Sequence, residues 1–471
     1  MTLSNQDIRQ ITNHGLTITD IETQIANFVR GFPFADIVRP ATTTHGEIQE
    51  LNQLSRKKYT DIYNEYRKSH TVVKFVPASG AATRMFRDLF EFLESGVQNN
   101  TVQTVCRNIK TLALGRELNI TPNACDSDVI RTIVNEYGSR PKALVPFHIY
   151  TDEIRTPVAE HMFEGAKYAT SRGDIVNIHF TVSPEHRAEL QKLIDKIIPE
   201  YSARYGVKYN ITMSVQKSST DTIAVNPDNT PFRTSDGALL FRPAGHGALI
   251  ENLDAIDSDI IFIKNIDNVC HQGAMQDTVE YKCALAGMLV DIQAQIFEYI
   301  RQIKSGTCDT NEIHRFIQKI LCMDVAPNAD EMLKILNRPV RVCGMVKNIG
   351  APGGGPFIVR HMGPQIVESS QIAPEMRKIM NTATHFNPVD LVCGVRDYMG
   401  DKFNLNDFID ENAGFISEKS HVGRPLRAME RPGLWNGAMA HWNTVFVEIP
   451  GTTFTPVKTV ADLATAAHMI D

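Results

Sequence analysis

The chain has 471 residues, with 48 Lys and Arg against 54 Asp and Glu, a formal net charge of −6 and a pI of about 6.2. This balance gives no sign of the basic face that nucleic-acid binding requires, and the length predicts one large α/β domain with insertions or two to three domains. The N-terminus lacks a basic segment followed by an apolar run, and no apolar window reaches the ~18 residues of a membrane span. The eight cysteines are scattered without a CxxC pair. We therefore expect a cytoplasmic protein with reduced thiols and with neither nucleic acid nor a membrane as partner.

The first part of the chain predicts helices, then a strand. Apolar residues at helical spacing predict a helical N-terminal extension over residues 1–70. From Val72, VVKFVPASG predicts a strand that ends in a small-residue loop, and MFRDLFEFLE predicts the helix after it. Residues from about 88 to 139 are polar and helical, which predicts an insertion. The apolar run in RPKALVPFHIY follows.

Strands and helices alternate through the middle of the chain. DIVNIHFTVSPEH, ITMSVQ and DIIFIKNIDN predict strands, and RAELQKLIDKIIPEYSARYG predicts a helix between the first two. This alternation predicts an α/β fold with a mixed, mostly parallel sheet. A second helical insertion is expected over about 275–336, within a catalytic domain that spans 71–471. The glycines from Gly353 to Gly355 predict either a loop of close approach or a hairpin connection.

The loop from Pro77 to Arg84, PASGAATR, carries the first candidate chemistry. Small residues after a strand expose backbone N–H groups, and the helix that follows adds its positive N-terminal end, so the pair suits a triphosphate. The side chains of Arg84 and Arg87 add positive charge. An ordinary strand-to-helix turn has the same composition, so the loop alone does not decide between the two.

Three charged residues stand at predicted strand ends or beside apolar runs. Asp267 follows an almost wholly apolar strand, where a carboxylate is costly unless it meets a cation or donors, so we predict a Mg²⁺ ligand there, with a capping or turn role as the alternative. Lys142 directly precedes the apolar run ALVPF, and Lys458 ends an apolar segment before a helix pattern. Each lysine suits a phosphate clamp, although a solvated surface lysine is the common alternative.

A further loop, RPAGHG from Arg242 to Gly247, has glycines on both sides of one histidine. Glycine lets another group approach the main chain closely, which suits a nucleobase or a ribose. A plain turn is the alternative.

In order, these segments resemble the sugar-phosphate nucleotidyltransferases, and the UDP-sugar pyrophosphorylase branch in particular. SGAATR followed by RPKALVPF resembles the family's G-G-x-G-T-R and P-K-x-L-x-P, split by an inserted helical segment. PAGHG before a strand ending in NIDN resembles the branch's P-G-H-G and N-x-D-N, and FTPVKTVADL resembles its F-x-P-V-K-T-x-x-D-L. The matching positions are Gly80, Thr83, Arg84, Lys142, Gly245, His246, Gly247, Asp267, Asn268 and Lys458. The sequences of these motifs also resemble those of an uncharacterised bacterial family known only as a domain of unknown function.

This resemblance implies a Rossmann-like fold of the nucleotide-diphospho-sugar transferase (GT-A-like) type. It implies that a nucleotidyl group passes from a nucleoside triphosphate, UTP in this branch, to a sugar 1-phosphate, with Mg²⁺ on Asp267 and release of pyrophosphate. Arg84, Lys142 and Lys458 then take catalytic roles. The nucleotide would lie against Ala78, Ser79, Gly80, Thr83, Gly245, His246 and Gly247, with Gln216 matching a glutamine near the base.

Ser79 and Ala82 stand where the family has glycines, which predicts a wider loop or a weaker grip on the triphosphate. This departure keeps open a nucleotide-sensing protein of the same fold without turnover. A glycosyltransferase of the fold is the other alternative, because Asp257 and Asp259 spell D-x-D. That motif precedes its strand, whereas a metal-binding D-x-D follows one.

Overall fold

The structure is a computed structural model that describes residues 3–80, 82–120, 127–348, 350 and 354–469. Its α-helices are numbered in chain order: α1 Asn5–Asn13, α2 Ile18–Arg30, α3 Gln53–Tyr66, α4 Arg87–Ser95, α5 Asn100–Asn108, α6 Ala113–Glu117, α7 Ser127–Tyr137, α8 Pro157–Tyr168, α9 Arg187–Tyr205, α10 Ile250–Asp254, α11 Gln276–Ser305, α12 Thr310–Ile320 and α13 Ala329–Leu336. Short 3₁₀ turns lie between several of them.

The strands form one large sheet and several small ones. They are β1 Ile37–Pro40, β2 Ile48–Gln49, β3 Val72–Pro77, β4 His148–Ile149, β5 Ile154–Arg155, β6 Ile175–Val182, β7 Lys208–Val215, β8 Thr222–Ile223, β9 Phe241–Arg242, β10 Ile260–Lys264, β11 Val340–Lys347, β12 Gly355–Val359, β13 Gly363–Val367, β14 His385–Gly394, β15 Phe415–His421, β16 Arg424–Glu430 and β17 Asn443–Glu448. The large sheet has the order β2-β17-β11-β14-β10-β3-β6-β7. Every pairing in it is parallel except the two that β14 makes. The predicted mostly parallel α/β sheet is therefore confirmed.

The central strands are buried on both faces, which explains why their sequences are nearly continuous apolar runs. Phe262 of β10 faces a cluster built by the long helix α11. Its neighbours Ile261 and Ile263 face a second cluster that includes α10 and residues near Trp442. Because β3, β6, β7, β10, β11 and β17 all run in one direction, the segments that follow them leave the sheet at the same edge. This carboxyl edge is where the predicted strand-end residues meet.

The N-terminal 70 residues differ from the helical extension that the spacing predicts. They contain α1, α2 and α3, but also β1 and β2. Strand β2 pairs with β17 in the large sheet, and β1 pairs with β12. Strands of four and two residues are too short for a period of two to be recognised in the sequence. This part of the chain is therefore joined to the main sheet.

The two predicted insertions consist of helices in the structure. Helices α4 to α7 cover most of residues 87–137, and α11 to α13 cover most of 276–336. Both sets contribute to apolar clusters that continue into the rest of the protein. Whether they are insertions in the evolutionary sense stays a prediction. The glycine-rich connection predicted from Gly353 lies partly outside the described residues, because 351–353 are not among them.

Helix α11 is long and apolar enough to cross a membrane by length and composition, but 67% of its most apolar window is buried inside the protein. Most cysteines behave as the sequence analysis expects, since Cys270, Cys283, Cys308, Cys322, Cys343 and Cys393 are free thiols. The structure departs from that expectation at Cys106, which is disulfide-bonded.

A network of buried charges lies between the sheet and helices α8 and α11. The carboxylate of Glu164 accepts hydrogen bonds of 2.7 Å from both Lys74 and Lys264. Lys282 pairs with Asp390 next to them, and these side chains are almost wholly buried. Burial lowers the pKa of Lys74 to about 7 although Glu164 opposes the shift. Lysine is rarely buried without a partner, so the two carboxylates are what make this packing tolerable.

We expect Glu164→Leu to lower the free energy of unfolding by about 3–5 kcal/mol, because two buried ammonium groups lose their shared carboxylate. Urea denaturation measures the change. The matched control is Asp61→Asn, which breaks the exposed Lys57–Asp61 pair and should cost less than about 1 kcal/mol. A loss for Glu164→Leu no larger than that of the control would contradict this account of the network.

Candidate functional site

Asp267 stands just beyond the carboxyl end of β10. The strand itself is fully buried, and Ile266 donates its backbone N–H to the carbonyl of Pro77 at the end of β3 (3.3 Å). This bond fixes the residues after β10 against the loop after β3. Asp267 is only 7% exposed, so the carboxylate is held at the sheet edge in a largely desolvated position.

Two lysines from distant parts of the chain meet the same oxygen of Asp267. Lys142 opens a 3₁₀ turn after Pro141, and its ammonium group lies 2.9 Å from Asp267 Oδ2. Lys458 reaches the same Oδ2 at 3.1 Å from the C-terminal part of the chain. Lys142 also donates to the carbonyl of Val457 (2.9 Å), the residue before Lys458. The structure therefore brings together three of the residues that the sequence predicts to act.

The charge of Asp267 is set by these neighbours. Burial would raise the pKa of its carboxyl group, but the positive charges of Lys458 and Lys142 and their hydrogen bonds lower it below the ordinary value of 3.8. The second oxygen, Oδ1, is buried and has no hydrogen-bond partner among the described residues. Two ammonium groups and one carboxylate leave one net positive charge at this edge, which favours an anion. The free Oδ1 suits a hard cation.

The loop after β3 lies beside this cluster. Gly80 accepts a hydrogen bond from the backbone N–H of Lys142 (3.3 Å), and Ala82 donates to the carbonyl of Arg140 (2.9 Å). Ala78 donates to Thr181 at the end of β6, and the hydroxyl of Ser183 donates to the carbonyl of Ser79. The loop is thus fastened to the turn that carries Lys142.

The loop differs from its prediction in two respects. Ala82 packs into the apolar cluster beneath the loop, so its Cβ does not project toward the open side. The 3₁₀ turn Ala82–Arg84 separates the loop from α4, which begins only at Arg87 and has Asp88 in its first turn. The N-terminal end of the helix is therefore displaced and partly neutralised. Thr83 and Arg84 are exposed, and within the described parts of the chain their side chains make no hydrogen bond or ion pair.

The RPAGHG loop and Gln216 form a second group of predicted residues. A Cβ at Gly247 would lie 2.0 Å from the carbonyl oxygen of Pro432, and one at Gly245 would lie 2.4 Å from the carboxylate of Glu430. The space that these glycines leave open is therefore occupied by Pro432 and Glu430 of the protein itself. Gln216, directly after β7, donates to Thr220 (3.1 Å).

His246 is the residue of that loop with a polar environment suited to a ligand. Its Nδ1 accepts from the backbone N–H of Leu434 (2.9 Å), its ring stacks on Trp435, and its Nε2 lies 3.7 Å from Glu368. The adjacent His246 side chain lowers the pKa of Glu368. The partners of His246 are thus different from those of Asp267, so the two residues belong to two separate groups.

Sequence reasoning missed Glu368. It stands directly after the fully buried strand β13, whereas Asp267 is the third residue after β10. That pattern, a carboxylate just past an all-buried strand, was available in the sequence. The histidine opposite it could not be predicted, because Glu368 and His246 are far apart in the chain.

The D-x-D motif lies away from the lysine cluster. Asp257 and Asp259 precede β10, at the opposite edge of the sheet, and both pair with Arg396. In the described ranges, no group of three or more His, Cys, Asp or Glu side chains could hold a metal ion. A metal at Asp267 would therefore share its coordination with a ligand.

Comparisons with known proteins support the α/β fold but do not establish an activity. The model of a family described as "Domain of unknown function (DUF4301)" matches residues 4–469. No curated protein matches the sequence. Among solved structures, the chain is similar to a UDP-N-acetylglucosamine pyrophosphorylase from Trypanosoma brucei in complex with an inhibitor, with 11% identity, a TM-score of 0.53 and coverage of 98% of this chain and 79% of that one. A mutant UDP-glucose pyrophosphorylase from Leishmania major has 13% identity, a TM-score of 0.48 and the same coverages. The first of these likenesses shows a shared fold.

We expect Lys458→Met to raise the pKa of the Asp267 carboxyl group toward its ordinary value, because the largest opposing charge is removed while burial remains. A ¹³C NMR titration of the carboxyl resonance measures it. Lys347→Met is the matched control, since that exposed lysine pairs with Glu448 instead. An Asp267 pKa that is the same in Lys458→Met and in the wild type would show that Lys458 does not act on this carboxylate.

Proposed function

We propose that this chain, which belongs to the family described as domain of unknown function DUF4301, is a nucleotidyltransferase that resembles the UDP-sugar pyrophosphorylases. In this proposal it transfers a nucleotidyl group from a nucleoside triphosphate, UTP by the resemblance, to a sugar 1-phosphate. Pyrophosphate is released. The sheet would then be of the nucleotide-diphospho-sugar transferase type, with the substrates at its carboxyl edge.

The observation that carries the proposal is the cluster of Lys142, Asp267 and Lys458. Phosphoryl and nucleotidyl transfer need little covalent chemistry from a protein and depend on positioning and on neutralising oxygens. A cluster with one net positive charge, partly desolvated beside a backbone loop, supplies both. Lys458 is 57% exposed at its side chain, whereas Lys142 is 13% exposed, so Lys458 is the one free to follow a substrate.

A magnesium ion fits this site on the protein side. Asp267 offers one unpartnered buried oxygen, and its lowered pKa keeps it ionised. Mg²⁺ commonly binds through one or two carboxylates together with substrate phosphates, which agrees with a single protein ligand. When bound, the ion would neutralise phosphate oxygens during the transfer. Both lysines bind Oδ2, so Oδ1 would be the oxygen available to the metal.

Different residues of the site have different roles in the proposed reaction. A phosphate oxygen of the sugar 1-phosphate attacks the α-phosphorus, a new P–O bond forms, and the bond between the α- and β-phosphates breaks with pyrophosphate as leaving group. Arg84 and Lys142 hold the triphosphate, and Lys458 stabilises charge on the attacking phosphate. No protein nucleophile takes part.

The nucleotide would lie along the loop Ala78–Gly80 and Thr83. Ser79 and Gly80 are exposed there, and a Cβ at Gly80 would meet no atom within 4 Å, so the loop surface is open. His246 and Gln216 would then take the base. Because Gly247 is already closed by Pro432, we assign the contact with the base to the His246 ring and not to the glycine backbone.

A nucleotide-sensing protein without turnover is the second candidate, and one observation favours it. Both lysines already bind Asp267, so substrate must compete with an existing ion pair. A sensor would bind the triphosphate there without releasing pyrophosphate. The glycosyltransferase alternative loses its metal motif, because Asp257 and Asp259 are paired with Arg396.

The test is a pyrophosphate-release screen of the four common nucleoside triphosphates against a panel of sugar 1-phosphates with Mg²⁺. We expect release with at least one pair, and a loss of kcat of about 10²–10³-fold in Asp267→Asn and in Lys458→Ala, since each removes charge that acts on the phosphates. Lys347→Ala is the control and should keep wild-type kcat, because its exposed ammonium pairs with Glu448.

Two outcomes would contradict the assignment. Full activity in both site variants would remove the cluster from the mechanism. Nucleotide binding by the wild type without release from any pair would favour the sensing protein.

A further inference from the structure

The turn that carries Asp267 is held by backbone hydrogen bonds on two sides. Ile266 donates its N–H to the carbonyl of Pro77 at the end of β3 (3.3 Å). The carbonyl of Asp267 accepts from the N–H of Val457, in the C-terminal part of the chain (3.0 Å). These two bonds tie the turn to its neighbours, but they do not involve the carbonyl of Ile266, which lies between them along the chain.

The side chain of His161 reaches that carbonyl from helix α8. Its Nε2 lies 3.2 Å from the carbonyl oxygen of Ile266. A carbonyl oxygen only accepts hydrogen bonds, so Nε2 carries the proton of this bond. His161 is fully buried and Ile266 is 6% exposed, so the bond is shielded from water. A buried carbonyl that lost this donor would be left without that partner, which is costly.

The surroundings of His161 keep its ring neutral. Lys74 donates to the backbone carbonyl of His161 (3.2 Å), and both Lys74 and Lys264 bind Glu164, three residues further along α8. Burial, and then the charge of Lys74, lowers the pKa of His161 well below its ordinary value of 6.5, although Glu164 opposes the shift. A neutral imidazole has one N–H, and the bond to Ile266 requires it on Nε2. The other nitrogen, Nδ1, is buried and has no hydrogen-bond partner in the described part of the chain.

The acceptor belongs to the peptide unit that leads directly into Asp267. A peptide unit is planar, so the direction of the Ile266 carbonyl also sets the direction of the bond from the Asp267 nitrogen to its Cα. The carboxylate of Asp267 has to lie where Oδ2 meets both Lys142 (2.9 Å) and Lys458 (3.1 Å). A rotation of this peptide unit would therefore move the carboxylate relative to the two ammonium groups.

We propose that His161 is a positioning residue for Asp267: the Nε2–H of its buried ring fixes the peptide unit between Ile266 and Asp267. The carboxylate is thereby held between the two lysines of the cluster. The part of this inference that concerns catalysis rests on the proposed function, whereas the part that concerns the turn rests on the hydrogen bonds alone. His161 touches no substrate in this account and acts only through Asp267.

The experiment compares the wild type with three variants of α8. His161→Phe keeps a buried aromatic ring and removes the donor. His161→Gln removes the ring and keeps a neutral N–H donor at a similar reach from the backbone. Tyr168→Phe is the matched control. It removes the hydrogen bond from the buried Tyr168 hydroxyl to Glu164 (3.0 Å), in the same network and on the same helix, and leaves the donor to Ile266 in place.

Two measurements report on the turn without any substrate. In ¹⁵N NMR of the wild type at neutral pH, the His161 ring should have a protonated Nε2 and an unprotonated Nδ1. Hydrogen–deuterium exchange of the amides of Ile266 and Val457 should become about tenfold faster or more in His161→Phe, because both amides are protected only while the turn is held. In His161→Gln and in Tyr168→Phe, exchange of these amides should stay close to that of the wild type.

Pyrophosphate release measures the effect on catalysis. We expect kcat of His161→Phe to fall about 10–10²-fold, because a displacement of about 1 Å at a reacting site costs a rate of this order. KM should change less than kcat, since the loop proposed to hold the nucleotide is not altered. His161→Gln should recover most of the lost kcat, and Tyr168→Phe should keep the wild-type value.

Three outcomes would overturn the role of the donor. A ring with its proton on Nδ1 could not donate to Ile266. Wild-type exchange in His161→Phe would show that the bond does not hold the turn. A loss of kcat in Tyr168→Phe as large as in His161→Phe, or no recovery in His161→Gln, would assign the effect to packing of the buried network and not to the N–H.

The inference and the proposed function can fail separately. A turn that loosens in His161→Phe while kcat is unchanged would overturn the positioning of the carboxylate. If the wild type releases no pyrophosphate, the proposed function fails, and the NMR and exchange measurements still decide whether His161 holds the turn. If His161→Phe does not fold, His161→Met, which also lacks a donor, takes its place in every comparison.

Discussion

The carboxylate of Asp267 between two lysines is the interaction on which the site depends. A desolvated carboxylate is costly, and the charges that offset the cost come from Lys142 before β4 and Lys458 near the end of the chain. If either lysine is removed, only one positive charge is left to offset the cost of the buried carboxylate. The position of Asp267 therefore requires that three distant segments meet at one edge of the sheet.

The large sheet and the buried ion pairs beneath it bring these segments together. The parallel strands β3, β6, β7 and β10 bring their following segments to the same edge, and the hydrogen bond from Ile266 to Pro77 joins the two nearest ones. Below the edge, the buried pairs of Glu164 with Lys74 and Lys264 fasten β3 and β10 to α8. Buried pairs of this kind add little stability over an apolar core, but breaking one is expensive. They thus fix which side chains face one another under the site.

Part of this arrangement can be predicted from the sequence. The strand before the small-residue loop, the carboxylate after an apolar strand and the two lysines follow from local patterns, since strand ends in a parallel sheet share one edge. Their mutual distances do not follow from the sequence. The sequence predicts that Gly245 and Gly247 admit a ligand, whereas in the structure they accommodate Glu430 and Pro432.

Long-range pairs are what the sequence could not reveal. His148 meets His468 across most of the chain, and each looks like an isolated histidine in its own segment. Strand β2 has two residues, too few for any pattern, yet it adds the N-terminal region to the large sheet. In both cases the partner, and not the local sequence, determines the conformation.

The central claim is that nucleotide phosphates bind at the cluster of Lys142, Asp267 and Lys458. A crystal structure with a non-hydrolysable nucleoside triphosphate and Mg²⁺ tests it most directly. The account predicts phosphate oxygens within hydrogen-bond reach of both lysines, the metal on Oδ1 of Asp267, and the triphosphate along the loop from Ala78 to Arg84. A nucleotide bound elsewhere, for example in the cavity of about 360 Å³ lined by Phe34, Arg360 and Asn436, with the lysine cluster unchanged, would contradict it.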